Sequence, residues 1–161
     1  MALVVGIRIA AYSGRRSALQ SFGPHANIVN RYDPEIAPDA AEWLALDEGE
    51  RIQLAEVHHR IARVRLPNLK AHAVFHAIVE NQIAGGLESV TRAMDRLVNE
   101  GLSRHDALHA IGCVLAEHLT ETMRTKDQDE ASTGQARYNA AVERLSAKEW
   151  RRRYGELSRG G

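Results

Sequence analysis

The chain is poor in the residues that most often betray a mechanism or a compartment. It has a single cysteine, Cys113, in 161 residues, so neither an internal disulfide nor an all-cysteine zinc site can form. A lone thiol fits a reducing setting, and a cytoplasmic location is expected. No sign of charge prevails: Lys+Arg and Asp+Glu number 21 each, which argues against a nucleic-acid or membrane-surface binder driven by bulk charge. No apolar run approaches the roughly 20 residues of a membrane-spanning helix, so no span is expected. Only four prolines occur, all at or before Pro67, and strand-type alternation is hard to find after residue 40. What is present is a chain 44% hydrophobic and 26% charged, enough to build one ordinary core. Helix-forming residues dominate it. The expected fold class is all-α, a compact bundle of four to six helices with short connections.

Three regions separate by composition. Residues 1–31 carry Arg8, Arg15, Arg16 and Arg31 but no acid; the first carboxylate is Asp33. The opening MALVVGIRIAAYSGRRS has an apolar start and a basic patch, yet Arg8 interrupts the apolar stretch and no small-residue cleavage site follows. It reads as a basic, acid-free extension of the domain. Residues 32–124 form the helical core domain, and 125–161 hold a polar loop, a C-terminal helix and an Arg-rich tail. Without the first 31 residues, 17 basic residues face 21 acidic ones, a mildly acidic body.

Capping signals divide the core. Asp39 caps AAEWLAL; Asp47, with Glu50 at the capping-box position, opens a helix over about 48–63. Pro67-Asn68 starts a helix at about 69 that Gly85-Gly86 ends. A further helix runs over about 88–100 to Gly101, and Ser103 with Asp106 caps a long one to about 124. Residues 125–135 read as a loop, and a final helix is expected over about 136–152. The expected core is Leu54, Val57, Ile61, Phe75, Ile78, Val79, Met94, Leu97, Leu108, Ile111, Leu115 and Leu119, which lie on the apolar arcs of four successive helices.

Histidine is the anomaly. Eight occur, six of them between His58 and His109. His72, His76 and Glu80 are spaced i, i+4, i+8, which places them in one stripe, each about 6 Å further along the axis. His105, His109, Cys113 and Glu117 repeat the device. If successive helices run antiparallel, the helices of His72 and His105 run parallel, with both residues near the same end of the bundle. His58 and His59 end the preceding antiparallel helix and approach that end too. On that arrangement six histidines from three helices would gather in one layer. Imidazole pairs at this spacing are good bidentate donors to zinc, iron, nickel or manganese, and Glu80 would add an oxygen. The expected metal ligands are His72, His76, Glu80, His105 and His109, with His58 as an additional one. Cys113, beside Gly112, reads as a small residue where helices pack closely. Asn81 and Gln82 point away from the stripe, toward another helix or a partner.

The familiar enzyme motifs are missing. His72 is followed by Ala73, so there is no H-E-x-x-H, and no phosphate loop, nucleophile elbow or dinucleotide fingerprint occurs. The paired Glu-x-x-His units of di-iron carboxylate bundles are absent as well. A hemerythrin-like pattern is partly present in His58, His76-x3-Glu80 and His105-x3-His109, but the last helix lacks the His and Asp pair it needs.

From about residue 32 to 124 the chain resembles an uncharacterised bacterial domain family. The segments that carry the likeness are Tyr32-Asp33-Pro34, Trp43 with LDEGER, HAVFHAIVENQIA and EGLSRHDALHAIG. The resemblance brings no activity with it. It implies the extent of the domain and that the His and Glu-Asn-Gln segments belong together. Two functions are therefore weighed: a metal-binding domain, hydrolytic through a metal-activated water with a spare His or Glu80 moving protons, and an interaction or adaptor domain whose His-Asn-Gln residues specify helix packing. Nucleic-acid binding through Arg151-Arg152-Arg153 ranks third, since the run is short and interleaved with Glu149 and Glu156. The partner is unknown, and a homo-oligomer is compatible with the sequence.

Overall fold

The computed structural model describes residues 32–63, 68–125 and 131–154. The expected N-terminal extension and the end of the Arg-rich tail lie outside these residues. The described residues are all-α, without strands: α1 (Ala40–Ala45), α2 (Glu48–Ile61), α3 (Leu69–Ala84), α4 (Glu88–Asn99), α5 (Arg104–Thr125), α6 (Ala131–Arg144) and α7 (Ala147–Tyr154). None of these helices is long and apolar enough to cross a membrane.

The caps read from sequence define the helix ends. Asp39 accepts from the backbone N–H of Ala41 and Glu42, and Asp47 and Glu50 form a reciprocal capping box. Asn68 accepts from Ala71 N–H at the start of α3, and Ser103 accepts from Asp106 N–H at the start of α5. Gly101, with φ of +89°, makes the turn between α4 and α5 in the left-handed region that glycine enters without strain.

There are seven described helices where four to six were expected, because the C-terminal segment is two helices and not one. Ser146 stops α6 and caps α7 by accepting from Glu149 N–H. The break is pinned from α4: Arg96 donates to the carbonyls of Val142 and Leu145, and the Glu100 carboxylate accepts from Ala147 N–H. The segment S-A-K-E was a capping signal that the smooth apolar spacing of Tyr138, Val142 and Leu145 concealed. Residues 131–135, expected in a loop, belong to α6.

Two buried clusters lie on either side of α3. One joins α3, α4, α5, α6 and α7 through Val79, Val90, Met94, Leu97, Leu108, Ile111, Leu115, Tyr138, Val142 and Trp150. The other is small-residued: Ala55 of α2 and Ala73 and Ala77 of α3, with Tyr32 and Trp43. Most of the expected core is inside, but Val57 and Ile61 are not; they are 37% and 68% exposed. The inward stripe of α2 runs instead through Ala55 and His59, so that one turn of the helix faces alanines of α3, not bulky side chains.

Candidate metal centre

The end of α2, the first half of α3 and the start of α5 meet, and five histidines converge there. His59, His72, His76, His105 and His109 each offer a ring nitrogen, and these atoms all lie within 4.8 Å of one another. The Nε2 atoms of His59 and His72 are 3.0 Å apart, those of His59 and His105 3.2 Å, and those of His72 and His109 3.1 Å. Alanines make this approach feasible. Ala55, Ala73 and Ala77 are fully or almost fully buried between α2 and α3, and larger side chains there would hold the imidazoles apart.

Two of the rings are deeply buried, and their outer nitrogens are committed. His59 Nδ1 lies 2.7 Å from the carbonyl of Ala55, one turn back on α2. A carbonyl only accepts, so Nδ1 carries the proton and Nε2 of the neutral ring carries the lone pair. His76, 3% exposed, has its Nδ1 3.2 Å from the Tyr32 hydroxyl, and its Nε2 is buried with no hydrogen-bond partner. His72, His105 and His109 are partly exposed.

The electrostatics favour neutral rings. Burial, reinforced by the neighbouring histidines, lowers His72 to about 4 and His109 to about 2. Burial likewise lowers His105 to about 4, with His59 adding to the effect and Glu35 opposing it. His76 and His59 are shifted down in the same direction, again chiefly by burial. Neutral imidazoles with available lone pairs are what a metal requires of histidine.

Neutral imidazoles cannot satisfy one another in this arrangement. His59 Nε2 can only accept. If His72 donates to it, His72 Nε2 has no lone pair left for His109 and no second proton to give; if His72 does not donate, its contact with His59 sets two lone pairs face to face. At least one of the three close contacts is therefore unmade, and His76 Nε2 has nothing at all. A cation placed among them can accept the lone pairs that the rings cannot share. At a metal–nitrogen distance of about 2.0–2.1 Å, ligand nitrogens lie about 2.9 Å apart across a right angle and about 3.4 Å apart across a tetrahedral one. The observed 3.0–3.2 Å separations fall between those values.

Two expected ligands are elsewhere. His58 sits one residue, and so about 100° of helix rotation, away from His59; its Nδ1 donates to the carbonyl of Tyr32 at 3.1 Å, and it is not in the five-nitrogen group. Glu80, 1% exposed, is engaged by Arg104, whose guanidinium reaches both carboxylate oxygens at 2.7 Å, while the Tyr32 hydroxyl donates to Oε1 at 2.9 Å. A carboxylate clamped on both oxygens is a counter-charge to arginine and not a free metal ligand. Burial alone would lower Arg104, but its bond to Glu80 and that carboxylate's charge hold it above its ordinary value. Cys113 and Glu117 continue the stripe of His109 away from the cluster. Burial raises the half-buried Cys113 thiol, which lines a cavity of about 210 Å³ with Trp150, and Glu117 is exposed.

Sequence reasoning brought His59 to the right end of the bundle but named His58 as the ligand from α2, and it placed neither Tyr32 nor Arg104 beside the site. Arg104 had a signal. A cation in the first turn of a helix opposes the helix dipole, which suggests that it answers another charge. The Glu-Asn-Gln run does turn to other helices: Asn81 accepts from the Trp43 indole at 2.8 Å and from Arg51 at 2.9 Å, and Gln82 accepts from the Tyr138 hydroxyl at 2.8 Å. The Arg151–Arg153 run is engaged within the fold, Arg151 with the carbonyl of Gly101 in the α4–α5 turn and Arg153 with Glu149 one turn away.

No known protein family, curated protein or solved structure matches the chain.

Proposed function

We propose that the protein is a metal-binding domain that holds a divalent transition ion through the imidazoles of His59, His72, His76, His105 and His109. The observation that carries the reading is the set of five converging ring nitrogens, which neutral histidines cannot pair among themselves. The donor set is all nitrogen. That suits zinc, iron or nickel and suits manganese less well, since manganese favours carboxylate, carbonyl and water oxygens. With Cys113 a free thiol, a reducing, cytoplasmic setting in a bacterium is part of the same proposal.

Hydrolysis finds less support than binding. Glu80, the expected proton carrier, is committed to Arg104 and Tyr32. Of the two cavities described, one is lined by α5, α6 and α7 residues around Trp150 and the other by α2 residues with Lys70; no cluster histidine lines either. The second reading is a structural network in which the histidines serve packing alone. It is favoured by the three Nε2–Nε2 separations, each within hydrogen-bond range.

Elemental analysis of untagged protein, with melting curves in the presence and absence of chelator, separates the two. A metal bound only by the folded state stabilises it by about 2.7 kcal/mol at a free concentration a hundred times Kd. Chelator is expected to lower the thermal midpoint of the wild type, and His76→Ala with His109→Ala to abolish that response. A metal-free sample whose melting is indifferent to both chelator and added zinc leaves the packing network as the answer.

A further inference from the structure

The hydrogen bonds around Glu80 dictate which nitrogen of His76 is free. Arg104 gives one N–H to each oxygen of the Glu80 carboxylate, at 2.7 Å in both cases, so both oxygens act as acceptors. The Tyr32 hydroxyl lies 2.9 Å from Oε1, and a carboxylate so held has no proton to return. Tyr32 therefore commits its single O–H to Glu80. What remains on the phenolic oxygen is lone pairs, and His76 Nδ1 is 3.2 Å away. That contact is a hydrogen bond only if Nδ1 holds the proton. The neutral ring then keeps its lone pair on Nε2, the atom that is buried without a partner.

We infer that Tyr32, fixed by the Glu80–Arg104 pair, is a positioning residue that holds His76 as an Nε2 ligand and so sets the affinity of the cluster for its metal. The inference rests on the metal-binding reading. It deepens that reading by giving a role to the buried charges that the ligand set leaves out. A ligating histidine whose second nitrogen is hydrogen-bonded has its ring orientation and tautomer fixed, and loss of such a partner typically costs 10–100-fold in metal affinity. His59 achieves the same end with a carbonyl of its own helix. His76 has no such bond and borrows an acceptor from outside α3.

Other observations agree. Burial, and then the charge of Glu80, raise the Tyr32 hydroxyl far above its ordinary value, so it stays a donor across the physiological range. Tyr32 is itself anchored from both sides: its carbonyl accepts from His58 Nδ1, and Arg104 reaches past Glu80 to the carbonyl of Pro34 at 2.8 Å. Glu35 accepts from His105 N–H at 3.4 Å. Residues 32–35 thus tie α2, α3 and α5 together beside the cluster. This explains how His58, which is not among the converging histidines, still serves the site: it holds the backbone of the residue that orients His76.

The test uses the full chain and zinc. In metal-free wild type, long-range proton–nitrogen NMR is expected to show His76 protonated at Nδ1, with Nε2 bearing the lone pair. Competition with a chromogenic chelator is expected to give Tyr32→Phe a zinc affinity 10–100-fold below wild type. A tyrosine that only packs would change the melting of the metal-free protein and leave zinc affinity unmoved. Arg104→Lys, which replaces the fork with a point donor, is expected to lower affinity less, in the same direction, and it serves if Tyr32→Phe does not fold. His76 protonated at Nε2 in the wild type, or wild-type zinc affinity in Tyr32→Phe, overturns the positioning role alone. Failure of the wild type to take up zinc, whatever the His76 tautomer, overturns the metal reading beneath it.

Discussion

The two sides of α3 are built on opposite principles. Toward α4, α5, α6 and α7 it meets Leu97, Leu108, Ile111 and Leu115, all almost fully buried, and the gain comes from apolar area removed from water. Toward α2 it meets alanine and imidazole, which bury less apolar surface per residue, and order is supplied by directed bonds: Arg104 to Glu80, Tyr32 to Glu80, and Trp43 and Arg51 to Asn81. The first half is held by apolar packing. The second half gathers lone pairs that it cannot itself satisfy. The difference teaches where to look for function in such a bundle: at the side of a helix where directed bonds have replaced bulk.

The sharpest way to break this comparison is to cut the polar half at its buried ion pair. Removing one partner of a buried pair leaves an uncompensated charge and typically costs about 3–5 kcal/mol. Arg104→Met is expected to fall in that range, because Glu80 would remain 1% exposed with its fork gone. Replacing both residues, Glu80→Leu with Arg104→Met, is expected to recover much of the loss in denaturant unfolding. A single variant no less stable than wild type would show that the pair contributes nothing to this side.

The apolar half is tested at Ile111, 0% exposed in the middle of α5. Ile111→Ala is expected to cost about 2–5 kcal/mol, as large-to-small core changes do, and to leave zinc affinity intact because the cluster lies on the other face of the helix. A loss well under 1 kcal/mol in urea unfolding, or a loss of zinc binding as large as that from His109→Ala, would show that the two halves are not separable in this way.

The scaffold was far more legible in the sequence than the site. Asp47 with Glu50, Asn68, Gly85-Gly86 and Ser103 with Asp106 are local signals, each read within a few residues of itself, and each marks a true helix end. The stripes of α3 and α5 were legible for the same reason, since a period of four is a local pattern. What sequence could not supply is the rotation of one helix against another. His58 and His59 are adjacent, and only the packing of Ala55 against Ala73 and Ala77 decides which of them turns inward. Glu80 shares the stripe of His72 and His76, yet Arg104 is 24 residues away and takes the carboxylate out of contention. Tyr32 is 44 residues from His76, and nothing local in either segment names the other.

Acid bears on the two halves differently, because the two most deeply buried histidines, His59 and His76, belong to the polar half. The folded state holds His72 and His105 at about 4 and His109 at about 2, all below the 6.5 of an unfolded histidine, principally through burial. Between about pH 6.5 and 4 the unfolded chain therefore binds more protons than the folded one, and stability falls as pH falls. The thermal midpoint of chelator-treated protein is expected to be steady above about pH 7 and to drop steadily from pH 6.5 downward. His105→Gln should flatten part of that slope. A midpoint indifferent to pH between 7 and 4.5 would mean that these rings are solvated when the metal is absent.

The smallest effect is expected on the outer face of α2. Val57 and Ile61 lie on it with 37% and 68% exposure, so they remove little apolar area from water and have little to lose by substitution. Val57→Thr and Ile61→Gln are each expected to change stability by no more than about 0.5 kcal/mol, the usual range for surface positions. His59→Gln, two residues from each of them, is expected to remove zinc binding, since it deletes the nitrogen that touches both His72 and His105. The contrast tests the rotation of α2 directly. If it were turned by one residue, about 100°, His58 would replace His59 in the cluster and Ile61 would swing to within about 60° of the inward direction. Zinc affinity lost in His58→Gln but kept in His59→Gln, together with a core-sized loss at Ile61, would establish that rotation and redraw the ligand set.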